Sequence, residues 1–353
     1  MAQQAADMVE CTLAEAEILS MDIMRAGLVP YLVSSPGLGK SALAKQLAIQ
    51  NQLKLVDIRL SQCDPADLQG FPMILPETAS GVVKAGYVPM DIFPVEGDPL
   101  PPNMAGWLIL ADELGSTGLA VQAAAYKVIL DKMIGMHNMH ENVLMMAAGN
   151  KRSDNAIVNK MGTAMQSRII TLIIRVCHEA FHRWADHNSL DHRVKAFLKF
   201  KPKLLHDFDP SHSDVTFPCP RTWEFVSKII TPMKDPGYEK LPILAGTVGQ
   251  GAGREFLTYL KVYTKIPTVP QILGDPERIA FGDETSMHCA LASMVAQAMD
   301  ASNAATLAKF INRLEVDFQA VAYKAAIARD YKIRKVPCIR EWVTRNAAQL
   351  NGY

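Results

Sequence analysis

The stretch that decides the fold is Tyr31-Leu-Val-Ser34-Ser35-Pro36-Gly37-Leu38-Gly39-Lys40-Ser41-Ala42. A short apolar run enters a glycine-bearing turn and leaves it as a helix beginning near Ser41. This is the setting of the phosphate-binding loop G-x-x-x-x-G-K-[ST], with Ser34 where the pattern has its first glycine. Gly37 and Gly39 let backbone N–H groups turn inward around phosphate oxygens. The helix N-terminus adds unsatisfied donors and the positive end of its dipole. Lys40 neutralises phosphate charge, and Ser41 offers a hydroxyl to Mg²⁺. Ser35, Pro36, Leu38 and Ala42 complete the expected nucleotide-binding segment.

Further along, Trp107-Leu-Ile-Leu-Ala-Asp112-Glu113 reads as a buried strand that delivers two acids at its C-terminal end, where ligands bind in open α/β sheets. Asp112 is the expected partner of the Mg²⁺ shell. Glu113 is the expected acceptor of a proton from an attacking water.

The remaining strands and helices follow from periodicity. Lys54–Leu60, Val143–Ala148 and Ile169–Ile174 are short and almost wholly apolar, as in a parallel sheet covered on both faces. Ser41–Gln50 and Leu119–Met133 read as helices between them. A first helix spans about 12–25, with Thr12 and Glu15 as a capping box and Gly27 as its stop. After Cys177 strand signals fade, and helical spacing with proline turns continues to the C-terminus. The expected class is α/β with a parallel sheet and appended helical regions.

Composition narrows the classes. The 353 residues carry 36 Lys and Arg against 36 Asp and Glu, so a wholly basic nucleic-acid binder is disfavoured. No apolar run approaches the roughly 20 residues that span a bilayer, and no signal peptide is evident. Six scattered cysteines without a C-x-x-C pair fit reduced thiols in the cytoplasm.

These residues resemble the AAA+ ATPases, and among them the MoxR-like subfamily, over about residues 10–265. Arg59-Leu-Ser-Gln62-Cys-Asp64-Pro-Ala-Asp67-Leu68-Gln-Gly70 is similar to the segment after the second strand there. Ser80–Gly86 resembles the helix-2 insert hairpin, and Ile134-Gly-Met-His137 a second hairpin. Ala147-Ala-Gly149-Asn150 resembles the sensor 1 strand end. Met165-Gln-Ser-Arg168 resembles the arginine-finger segment, and Pro218-Cys-Pro220-Arg221-Thr-Trp223 the start of the sensor 2 helix.

The resemblance implies an αβα P-loop core at 1–176 with an insert near 71–95, a helical lid at 177–264 and a helical extension at 265–353. It implies Mg²⁺-ATP as cofactor and substrate. Asn150 would orient the attacking water and Arg221 report bound ATP to the lid. Arg168 would reach a neighbour's nucleotide, with Lys151 and Arg152 as competitors for that role. The expected assembly is a homo-oligomer, a hexameric ring. Its expected partner is a protein, often one carrying a von Willebrand factor type A domain, rather than a nucleic acid or a membrane. The runner-up is a nucleic-acid motor.

One motif points elsewhere. His178-Glu179-Ala-Phe-His182 reads H-E-x-x-H, the zinc protease signature. Its place between Arg168 and Arg221, with no later glutamate before Glu224, favours an amphipathic helix that buries Phe181. His137 and His140 read as hairpin surface residues. Lys332, Arg334, Lys335 and Arg340 read as a solvated or subunit-contact face.

Overall fold

The computed structural model describes residues 9–74, 83–151, 154, 161–211, 215–263 and 265–346. Two compact units divide the chain, one of residues 1–176 with 209–211 and one of residues 177–208 with 212–353.

The first unit runs β1 (Glu10–Cys11), α1 (Leu13–Arg25), β2 (Val29–Ser34), α2 (Lys40–Gln50), β3 (Leu53–Arg59), α3 (Pro65–Gln69), β4 (Phe71–Ile74), β5 (Ala85–Val88), β6 (Gly106–Asp112), α4 (Leu119–Tyr126), β7 (Met133–Ile134), β8 (His137–Asn138), β9 (Val143–Asn150), α5 (Thr163–Gln166) and β10 (Ile169–Ile174). Six strands form one sheet in the order β1-β10-β2-β9-β6-β3, every pairing parallel. This is the expected α/β class.

Why the strands read as unbroken apolar runs is visible in the packing. Alternate side chains of each strand enter different cores. Leu32, Leu108, Leu110, Met146 and Ala148 meet Ala16, Leu43, Ala44 and Leu47 of α1 and α2. Tyr31, Ile109, Ala111, Met145 and Ala147 meet Leu68, Val121, Ala124 and Ala125 of α3 and α4. Leu108, Ile109 and Leu110 are all 0% exposed, so neither face of β6 reaches solvent.

The expected elements lie within two or three residues of their observed bounds, with one difference and three additions in this unit, β1, α3 and α5. The helix expected to Met133 is α-helical only to Tyr126; a π turn over Lys127–Asp131 follows and ends at Lys132, whose φ is 50°. Strand β1 was not anticipated, because two residues are too few to show a period. At α1, the Thr12 N–H donates to Glu15 Oε2 at 2.7 Å and the Glu15 N–H to Thr12 Oγ1 at 3.2 Å, the expected capping box.

Two small hairpins project from this unit. β4 and β5 pair antiparallel from Phe71↔Val88 to Ile74↔Ala85. Of the expected Ser80–Gly86 hairpin, residues 80–82 lie outside the described residues. β7 and β8 form the second. Gly135 turns it at φ 56°, and a Cβ there would lie 2.3 Å from the Gln69 carbonyl oxygen, so only glycine fits. His137 Nε2 lies 2.9 Å from the Tyr87 carbonyl oxygen and ties one hairpin to the other.

The second unit contains, among the described residues, helices only: α6 (His178–His187), α7 (His192–Phe200), α8 (Pro220–Ile230), α9 (Leu241–Val248), α10 (Gln250–Tyr263), α11 (Val269–Gly274), α12 (Thr285–Ala298), α13 (Ala304–Ile311), α14 (Val316–Arg329) and α15 (Pro337–Arg345). An aromatic cluster of Phe197, Trp223, Phe256 and Tyr259 joins α7, α8 and α10. α12 packs against both α7 and α14. Among the described residues no helix is long and apolar enough to cross a membrane.

Candidate active site

Ser34, Asn150 and Asp112 end three adjacent strands. Ser34 pairs in register with Asn150, and Asp112 with Arg59. The parallel sheet therefore delivers all three to its C-terminal edge. The loop from Ser35 to Gly39 crosses that edge, with Ser35 and Pro36 half-buried and Leu38 buried. Gly37 and Gly39 adopt φ of 79° and 89°, the left-handed region that glycine enters without strain. Gly39 is the N-cap of α2, so the first-turn N–H groups of that helix face the loop. Ala42 lies on the exposed face of its first turn.

Ser34 stands in the place of the pattern's first glycine without distorting the loop. Its φ is not positive, so glycine's freedom is not required there. Instead it contributes an oxygen pair. Lys40, only 8% exposed, donates from Nζ to Ser34 Oγ at 2.9 Å, to the Ser34 carbonyl at 3.3 Å and to Asn150 Oδ1 at 3.2 Å. The amine expected to neutralise phosphate charge is thus held beside the residue expected to orient water.

Ser41 Oγ donates to Asp112 Oδ2 at 2.9 Å. A hydroxyl and a carboxylate side by side are hard oxygen donors, the chemistry Mg²⁺ selects. Together with the glycine loop they fit Mg²⁺-nucleotide. The negative field of Asp112 is felt by its neighbours. Burial first, and then Asp112, push the Tyr31 hydroxyl up to about 12. Burial and then Asp112 also raise the Asp57 carboxyl, against the pull of Arg59.

Glu113 follows with φ of 60°. Its N–H donates to Asp112 Oδ1 at 2.8 Å, and its carboxylate Oε2 accepts a hydrogen bond from Ser61 Oγ. Ser61 lies in a 3₁₀ turn over Leu60–Gln62 directly after β3. Thr117 Oγ1 fixes that turn by donating to the Leu60 carbonyl at 2.7 Å.

Lys40, Ser41, Asp112, Glu113 and Asn150 are therefore brought together. Arg168 is not. It is exposed and precedes β10, whose Ile169 pairs with Val29 at the opposite end of β2. Six residue steps at about 3.3 Å each separate its level from Ser34 along the strands, about 20 Å. Arg221 is the exposed second residue of α8, in the helical unit. Lys151 is engaged within its own chain, its Nζ 2.9 Å from Glu10 Oε1. Arg152 lies outside the described residues. The roles of Ser34 and Ser61 were missed. No spacing rule marks Ser61, whose reach to Glu113 depends on β3–β6 register.

The H-E-x-x-H pair behaves as helix packing. His182 on α6 is held well below its ordinary range by burial, then by Lys199, His178 and Lys195. Lysines beside it oppose a dication. Among the described residues no group of three His, Cys, Asp or Glu side chains is placed to hold a metal ion.

No family model and no curated protein matches the chain. Among solved structures, a protein of Cytophaga hutchinsonii ATCC 33406 provisionally assigned as an ATPase is 17% identical, with a TM-score of 0.36 over 96% of this chain and 89% of that one. A DNA polymerase III gamma subunit-related protein of Thermotoga maritima MSB8 is 9% identical, with a TM-score of 0.34 over 96% and 99%. The functional reading rests on the geometry of the site itself.

Proposed function

We propose that the chain is a cytoplasmic Mg²⁺-dependent ATPase of the AAA+ class and MoxR type, hydrolysing ATP to ADP and phosphate. The observation that carries this reading is the convergence of Lys40, Ser41, Asp112, Glu113 and Asn150 on one sheet edge beneath a left-handed glycine loop. Six unpaired cysteines support a reducing compartment.

The steps follow from the bonds that the site's side chains make to one another. Lys40 exchanges its bonds to Ser34 and Asn150 for phosphate oxygens. That exchange frees Asn150 to hold the attacking water. Ser41 and Asp112 would hold Mg²⁺, which supplies charge neutralisation at the phosphates when bound. Glu113 takes the water's proton once its carboxylate leaves the Ser61 hydroxyl. Arg168 serves the nucleotide of a neighbouring subunit, and Arg221 in the 177–264 segment senses bound ATP. The assembly is a ring, hexameric in this reading. It spends hydrolysis on remodelling a protein partner, with a von Willebrand factor type A domain protein as first candidate.

Glu113→Gln tests the chemistry. The variant should retain ATP with near-parental affinity and lose turnover by about 100-fold or more, the scale of a positioned general base. Unchanged phosphate release would refute the assignment. The same variant held in ATP is the bait for isolating the partner.

A further inference from the structure

The zero net charge of the chain is a sum of two unequal parts. The unit of 1–176 and 209–211 has 13 Lys and Arg against 18 Asp and Glu, a net −5. The helical unit has 23 against 18, a net +5. The positive excess gathers near the end of the described chain. Lys332, Arg334, Lys335, Arg340 and Arg345 are all exposed, and none forms an ion pair among the described residues.

These cations stand on fixed supports. Ile333 and Ile339 are 0% exposed and anchor the turn Tyr331–Lys335 and helix α15 from beneath. Trp342 Nε1 donates to Gln319 Oε1 at 2.6 Å and pins α15 to α14. Asp330, the nearest carboxylate on the N-terminal side, is occupied in capping the turn through the Lys332 N–H at 2.9 Å. Among the described residues, Arg340, Glu341, Thr344 and Arg345 line an open depression of about 380 Å³.

The turn that carries Lys332, Arg334 and Lys335 also carries an aromatic ring. Tyr331 is 61% exposed. The Arg334 guanidinium lies 5.7 Å from its ring centroid and donates to its hydroxyl at 3.2 Å. The exposed ring, braced by Arg334, offers a flat apolar face beside the cations. An acidic protein segment would engage the cations and leave the ring idle. A single-stranded nucleic acid uses both, with phosphates for the cations and flat bases for the ring.

We infer that the surface formed by Tyr331–Lys335 and the outer face of α15 binds single-stranded nucleic acid. Lys332, Lys335, Arg340 and Arg345 take successive phosphates, and Tyr331 with Arg334 stacks a base. This goes beyond the ATPase reading and does not depend on it, since no residue of the phosphate site takes part.

The test is fluorescence anisotropy of the full chain with labelled oligothymidylate and oligouridylate, between about 50 and 200 mM salt. Saturable binding is expected, with log affinity falling against log salt at a slope of about −3, four phosphates at about 0.7 each. The double variant Lys335→Gln, Arg340→Gln should flatten that slope by about 1.4. Tyr331→Leu should weaken binding about tenfold and leave the slope unchanged. Unchanged melting temperatures keep both variants interpretable. Preference for one oligomer over the other separates DNA from RNA as the natural ligand. Absence of saturable binding at low salt overturns the inference. So does binding that ignores both variants, or polyglutamate competing as well as oligothymidylate while Tyr331→Leu binds like the parent.

Discussion

Ser61 and Glu113 show how much one hydroxyl can govern. The Ser61 Oγ bond occupies the carboxylate that the proposed reaction needs free, so each turnover includes its release. Ser61→Ala removes that restraint. Basal phosphate release should rise about tenfold, on the scale of a hydrogen bond to a charged group of about 1.5 kcal/mol. Steady-state assay decides it, and a fall in rate would mean that Ser61 positions Glu113 rather than restrains it. At this scale the sequence was legible where a motif packs its geometry into one turn. Lys40, Ser41 and Gly39 are neighbours in the chain, so their spacing already carries their arrangement. Asp112 and Glu113 were legible because an apolar strand ends on them. Ser61 was not, because Arg59↔Asp112 register decides which hydroxyl meets Glu113, and register belongs to the fold.

Among the elements, α7 carries a bond set that makes a sharp prediction. Arg193 donates to both carboxylate oxygens of Asp191, at 2.9 and 2.7 Å, and to the carbonyls of Ile230 and Met233 at 2.7 and 2.8 Å. It thereby clamps the start of α7 to the end of α8. Burial alone would raise the Asp191 carboxyl, but hydrogen bonding from Arg193 with the charges of His192 and Arg193 holds it below its ordinary value. A depressed folded value means that this stability is complete above the ordinary carboxylate pKa of about 4. It is lost as pH falls through the folded value. Arg193→Met leaves a buried acid unpaired and should cost about 3 kcal/mol at neutral pH. With the cation gone burial dominates, so the variant should melt higher near pH 4 than near pH 7. Thermal melts across that range check both signs, and parallel profiles for parent and variant would refute the account. Strands and helices of this length were legible because both faces of the sheet are buried. β1 was not, since it owes its place to pairing with β10 rather than to any pattern of its own.

For the whole molecule, the balanced total charge concealed a division between units that became visible only when the chain was partitioned by packing. The position of Arg168 matters most here. Its strand register sets it level with the start of β2, at the far end of that strand from the glycine loop of its own chain. Chains carrying Arg168→Ala and chains carrying Lys40→Ala should each be inactive alone and recover activity when mixed, because some junctions then hold one intact loop and one intact arginine. No recovery on mixing would sink the shared site.

That same distance has a kinetic meaning. If the finishing charge is always borrowed, a single chain is not a slow catalyst but an incomplete one, and rate stops being proportional to protein. Turnover per chain should fall steeply on dilution through the dissociation range and level off above it, following mass action. A flat dilution curve, taken well below any assembly seen by sedimentation, would show that each chain completes its own chemistry. In the expected case, local abundance sets the rate, and the cell can silence the enzyme by dispersing it.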